Sequence, residues 1–150
     1  MIKAYFDGCC EPVNPGGYAS FGAVVFNDSN RIWDCSRMFT PKKGKERETS
    51  NNVAEYCGFV SILEFLIEKN MTKEHIKIYG DSNLVIQQMF GTWQMRKGFY
   101  IPTAIKAKKL LKKFSDIRGE WIPREENDIA DELSKGELRK AGIEFRIQPE

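Results

Sequence analysis

Four acidic residues break the most apolar stretches of this chain, and any fold it adopts must put them where carboxylates are tolerated. Asp7 ends the run Ile2-Lys3-Ala4-Tyr5-Phe6, and Glu55 sits in the apolar stretch from Val53 to Ile67. Asp81 follows Ile76-Lys77-Ile78-Tyr79-Gly80, and Asp131 is set in Ile129-Ala130-Asp131-Glu132-Leu133. Removing a carboxylate from water costs several kcal/mol or forces it to take up a proton. Four that converge also repel one another. A hard divalent cation relieves both penalties at once, so the question is whether the fold brings these four together.

Chain length and charge allow this without demanding it. With 150 residues, 41% hydrophobic and 29% charged, the chain is expected to form one domain over 1–150 with a proper core. The net charge is only +2, but residues 91–120 hold eight basic residues against two acidic ones. A local excess of that kind attracts polyanions, or else marks a solvated helix face. Cys9, Cys10, Cys35 and Cys57 form no Cys-x-x-Cys pair, and His75 is the only histidine, which argues against a structural zinc site. No signal-like segment opens the chain and no apolar run approaches the ~20 residues of a membrane span. Free thiols, a cytoplasmic setting and a monomer are the expectation.

The pattern along the chain is three strands, helix, strand, helices, strand, helix. Strands are expected over residues 2–7, 18–26 and 31–40, joined by the turn cluster Glu11 to Gly17 and by Asn27-Asp28-Ser29-Asn30. Residues 41–48 read as a charged loop. A helix is expected to start near Thr49-Ser50-Asn51 and run to about Lys69, with Glu55, Phe59, Ile62 and Leu66 on one stripe. Residues 75–80 and 117–122 read as strands. Residues 82–90, 102–114 and 125–140 read as helices, with a possible terminal strand over 143–147. This order predicts an α/β fold: a five-stranded mixed sheet, three antiparallel strands then two parallel, with helices on both faces. Ligands in such sheets gather at the carboxyl ends of the parallel strands, where Asp7 and Asp81 fall.

Each acid has a bland explanation when taken alone. Asp7-Gly8 is a common turn, Asp81 a common N-cap, and Asp131 an ordinary surface acid. The strings around them are less generic. Asp7-Gly8-Cys9-Cys10 is followed by Asn14-Pro15-Gly16-Gly17, and Ser50-Asn51-Asn52-Val53-Ala54-Glu55 puts two asparagines ahead of a glutamate on an apolar face. Asp81-Ser82-Asn83 and Asn127-x-x-Ala130-Asp131-x-Leu133 follow in order.

Taken together, these four strings resemble the type 1 ribonuclease H family over essentially the whole chain. The string Trp121-Ile122-Pro123-Arg124-Glu125-x-Asn127 resembles the subgroup common in archaea and some bacteria. The resemblance implies hydrolysis of the RNA strand of RNA–DNA hybrids, with two Mg2+ ions, or Mn2+ in their place, held by Asp7, Glu55, Asp81 and Asp131. Gly8, Cys10 through its backbone, Asn14, Ser50, Asn51, Asn52 and Asn83 are implied as substrate contacts. Many members carry a histidine in the loop before the last aspartate. This chain has none from Ile117 to Asp131, and Arg124 is the nearest polar candidate. The span from Asp81 to Asp131 is too short for the full basic protrusion of some members, with Arg96-Lys97 and the lysines of 106–113 supplying part of that charge. Two other readings compete: a DNA-directed nuclease of the same broad fold, and a nucleic-acid-binding module without activity. The Asn-Asn-x-x-Glu spacing argues against the first, and retention of all four acids against the second.

Overall fold

The computed structural model describes residues 1–146. Strands β1 (Ile2–Glu11), β2 (Tyr18–Asn27), β3 (Asn30–Phe39), β4 (His75–Gly80) and β5 (Asp116–Trp121) form one sheet in the order β3-β2-β1-β4-β5. The first three are antiparallel, and β4 and β5 run parallel to β1. The helices are α1 (Asn51–Glu68), α2 (Asn83–Phe90), α3 (Ile101–Leu111) and α4 (Asp128–Lys140), with short 3-10 turns at Glu46–Glu48 and Arg124–Glu126. This is the mixed sheet that the order of apolar runs predicts.

The main core lies between α1 and the sheet. Alternate residues of β1, Ile2, Ala4 and Phe6, face Phe59, Ile62 and Leu66 of α1, and all six are buried. Phe6 meets Phe59 edge-on at 5.6 Å. Each large side chain buried this way contributes about 1.5–3 kcal/mol. α4 covers the opposite face over β2 and β1. Two glycines set how closely the helices approach. A Cβ on Gly8 would lie 2.5 Å from the Glu55 amide nitrogen, and one on Gly22 would lie 2.4 Å from the Ala130 carbonyl oxygen. Bare backbone at these points seats α1 and α4 directly on the strands.

Three expectations need correction. β1 does not stop at Asp7 but runs on to Glu11, because β2 pairs with it throughout, from Ile2↔Asn27 to Glu11↔Tyr18. Only its pairing with β4 stops short, at Phe6↔Gly80, so Asp7 sits just past the end of the parallel pair. The last helix begins at Asp128 rather than Glu125, because Asn127 has non-helical backbone (φ −114, ψ 34) and its side-chain amide is committed elsewhere. Of the terminal strand expected over 143–147, residues 143–146 are irregular, and 147 lies outside the described residues.

Opposite outcomes are expected for two glycine-to-alanine changes. Gly22→Ala drives a methyl into the α4 backbone and should cost about 1–3 kcal/mol, lowering Tm by several degrees. Gly136 lies inside α4, and a Cβ there meets nothing within 4 Å, so Gly136→Ala should stabilise by about 0.5–1 kcal/mol. Thermal or urea unfolding of both variants checks the pair; a neutral Gly22→Ala would contradict the packing of α4.

Candidate active site

The four acids arrive from four separate elements. Asp7 is carried by β1, and Glu55 by the second turn of α1, whose N-cap Ser50 accepts a hydrogen bond from the Val53 amide. Asp81 directly follows β4. The N-cap role open to it is taken by Ser82, whose hydroxyl accepts from the Val85 amide at 3.3 Å. Asp131 lies in the first turn of α4. All four line one cleft of about 230 Å3 at the carboxyl end of the β1–β4 pair. Gly8, Cys10, Asn51 and Arg124 line it as well.

Burial and mutual repulsion shape the charge state of the cleft. Asp7 is 6% exposed and Glu55 8%. Burial, then Asp81, Asp131 and Glu55, push the Asp7 carboxyl well above the usual carboxylate range, and the Asp131 carboxyl lies within hydrogen-bonding reach of it. Burial pushes Glu55 up to about 8; the Ser82 hydroxyl opposes this and the Asp81 charge adds to it. Asp81 Oδ1 accepts from Asn127 Nδ2 at 3.2 Å, and its carbonyl accepts from Trp121 Nε1 at 3.1 Å. Asp131 is drawn to Lys135 Nζ at 3.0 Å and Arg124 Nη2 at 3.8 Å.

The donors are all hard oxygens. Among the described residues no three acidic, histidine or cysteine side chains are already closed into a metal cage. The set nonetheless fits divalent magnesium or manganese, because oxygen ligands suit these ions and a cation would offset the burial and mutual repulsion that raise Asp7 and Glu55. Neither cysteine at the cleft is an activated thiol, and the histidine lies elsewhere. Burial pushes the Cys9 thiol up to about 12, and Cys10 is buried with its Sγ turned to the Val13 and Thr49 carbonyls. His75 lies at the far end of β4, paired with Asp116.

Asn14 and Asn51 form a reciprocal pair: Asn14 Nδ2 donates to Asn51 Oδ1 at 2.8 Å, and the Asn51 amide donates to Asn14 Oδ1 at 3.1 Å. Asn52 is half-buried next to Asn51 on α1 and Asn83 is exposed at the start of α2; of the expected substrate contacts, Asn14, Ser50, Asn52 and Asn83 do not line the cleft. Three residues emerge that sequence reasoning did not put forward as site residues. Asn127, 1% exposed, donates from Nδ2 to both the Phe6 carbonyl (2.9 Å) and Asp81 Oδ1. It therefore fastens the start of α4 to β1 and Asp81 together. Lys135 was findable, since it lies four residues after Asp131 on a helix. Arg146 was not: it reaches the cleft rim from the C-terminal segment, donating to the Cys10 carbonyl at 2.7 Å and to Glu11 Oε2 at 3.0 Å.

A raised carboxyl pKa makes the folded state the better proton acceptor, so stability in metal-free buffer should fall as pH climbs from about 4.5 to about 8. Glu55→Gln removes that penalty and should stabilise the metal-free protein by about 1–3 kcal/mol at pH 8 and by little at pH 4. Denaturant midpoints for both proteins at the two pH values test this; an equal difference at both would sink it.

Comparison with known proteins bears on the family and the fold. A family model described as reverse transcriptase-like matches residues 5–136. The protein named Ribonuclease HI of Halobacterium salinarum is 29% identical over 140 residues, covering 93% of this chain and 65% of that protein. The bifunctional protein Rv2228c of Mycobacterium tuberculosis is 32% identical over 128 residues, covering 85% of this chain and 33% of that protein. The chain thus spans about a third of the length of the first curated relatives it matches. The crystal structure of LC11-RNase H1 in complex with an RNA/DNA hybrid superposes with a TM-score of 0.81 at 26% identity, covering 94% of this chain and 99% of that one. The chain belongs to the reverse transcriptase-like family, and its fold and motif order make it a ribonuclease H-like domain of the type 1 kind.

Proposed function

We propose that this chain is an endoribonuclease that hydrolyses the RNA strand of RNA–DNA hybrids, leaving 5′-phosphate and 3′-hydroxyl ends. The observation that carries the reading is the convergence of Asp7, Glu55, Asp81 and Asp131 on one cleft that, among the described residues, holds no histidine and no activated thiol. With no histidine and no activated thiol in the cleft, cations held by its four carboxylates are the source of activated water in this reading. Asp7, Asp131, Glu55 and Asp81 would hold two Mg2+ ions. Such a pair supplies an activated water and neutralises charge on the attacking and leaving oxygens.

The other residues position substrate. Backbone from Gly8 to Cys10 and the side chains of Asn52 and Asn83 face the RNA strand in this reading, where a 2′-hydroxyl offers a donor and an acceptor that DNA lacks. Ser50 and the Asn14–Asn51 pair place the strands. Arg124, 64% exposed and 3.8 Å from Asp131, is assigned in this reading to the water or the departing product. Contacts of this type grip the backbone and read bases weakly. The hybrid-bound relative supports the choice of substrate. In this reading, residues 1–150 act as one monomeric cytoplasmic domain.

Asp7→Asn should lower cleavage of a labelled hybrid at least about a thousandfold with the fold intact, the loss of several kcal/mol of charge stabilisation. EDTA should abolish activity and Mg2+ or Mn2+ restore it, and a matched DNA duplex should be cut orders of magnitude more slowly. Near-normal turnover by Asp7→Asn would end this assignment. Arg124→Ala should slow turnover by about tenfold or more at saturating substrate; an unchanged kcat would remove Arg124 from the reaction.

A further inference from the structure

The basic cluster tied most directly to the cleft is not in the lysine-rich 91–120 segment. The lysines of α3 ride on a helix packed against α1 and α2. The loop between β3 and α1 is different. It holds Lys42, Lys43, Lys45 and Arg47 within six residues, and all four are exposed. Among the described residues none of the four takes part in an ion pair. Two acids, Glu46 and Glu48, share the loop, but neither forms an ion pair with the four among the described residues; Glu46 Oε1 instead accepts from the Gly44 amide at 3.0 Å.

The loop is also fixed in place. The Lys45 amide donates to the Lys42 carbonyl at 2.8 Å, and the Glu48 amide to the Lys45 carbonyl at 3.0 Å. Thr49 closes the 3-10 turn through its hydroxyl to the Glu46 carbonyl at 3.0 Å. The Thr49 carbonyl in turn accepts from the Gly16 amide at 2.8 Å and from Cys10 Sγ at 3.7 Å. The loop is therefore docked on the turn that carries Asn14, and the Asn14–Asn51 pair joins it to the wall of the cleft. Residues 42–48 hold four basic residues against two acidic ones, so the docked loop presents a net positive charge that a polyanion would neutralise.

We propose that Lys42, Lys43, Lys45 and Arg47 anchor the phosphate backbone of the bound duplex on the Asn14 side of the cleft, outside the reacting strand's immediate contacts. The proposal rests on the nuclease reading for the identity of the duplex, not for the presence of a polyanion site. The loop supplies affinity without base reading. It contributes to holding substrate and not to the chemical step.

The test compares the wild type with a variant in which Lys42, Lys43, Lys45 and Arg47 are all changed to Gln. Hybrid affinity is measured in an Asp7→Asn background across a salt series, and cleavage in the active background. The neutral variant should bind the hybrid about tenfold or more weakly at moderate salt. Its slope of log affinity against log salt should be shallower by about 0.9 for each phosphate that the loop no longer neutralises. KM should rise with kcat unchanged. A second variant, with the three lysines changed to Arg, should keep affinity and slope near wild type. Unchanged affinity and slope in the neutral variant overturn the anchor. So does a fall in kcat at unchanged KM, or failure of the arginine variant to bind, since either marks a structural role. A wild type that binds hybrid in this salt-dependent way but does not cleave it overturns the nuclease reading and leaves the anchor standing.

Discussion

The structure turns on a mismatch in strand pairing. β1 has a partner along its whole length on the β2 side, but on the β4 side its pairing ends at Phe6↔Gly80. One residue further on, Asp7 is held in extended backbone by β2, past the last residue that β4 pairs. A notch opens there in the sheet. Asp81 follows the last paired residue of β4, and Asn127 closes the notch from above by donating to the Phe6 carbonyl and to Asp81. Rigid strands on two sides keep the carboxylates from moving apart to relieve their repulsion.

The helices complete this arrangement because the strands let them come close. Gly8 admits the start of α1, which carries Glu55 to the notch, and Gly22 admits α4, which carries Asp131. The same close packing removes water, so Asp7 and Glu55 hold their protons more tightly than free carboxyls do. Stability and function oppose one another at this point. A core designed only for stability would not place four acids in one cleft, and strain of this sort is typical of sites that bind cations. Lys135 and Arg124 offset part of the repulsion at Asp131.

Much of this was legible in the sequence because it depends on local pattern. The stripe Glu55, Phe59, Ile62 and Leu66 has the helical period, and all four are buried on one face of α1. The β4 boundaries at His75 and Gly80 follow from alternation and the flanking turn residues. The true extent of β1 was not legible, because residues 8–11 join the sheet only through β2, a partner that local sequence does not display. Nor was the helix start at Asp128, since Asn127 is taken out of the helix by two distant acceptors.

The sequence by itself determined the order and type of the elements, the mixed sheet, and which four acids stand in specific strings, because apolar period, turn residues and capping residues act over a few positions. Only the tertiary structure decided that Asp7, Glu55, Asp81 and Asp131 share one cleft, that Arg146 lines it and Asn127 braces it through Phe6 and Asp81, and that the basic loop at 42–47 is docked on the Asn14 turn. These facts depend on contacts between residues as many as 136 positions apart, as for Arg146 and Cys10. Whether such contacts form is set by the packing of helices on strands, and no local pattern encodes it.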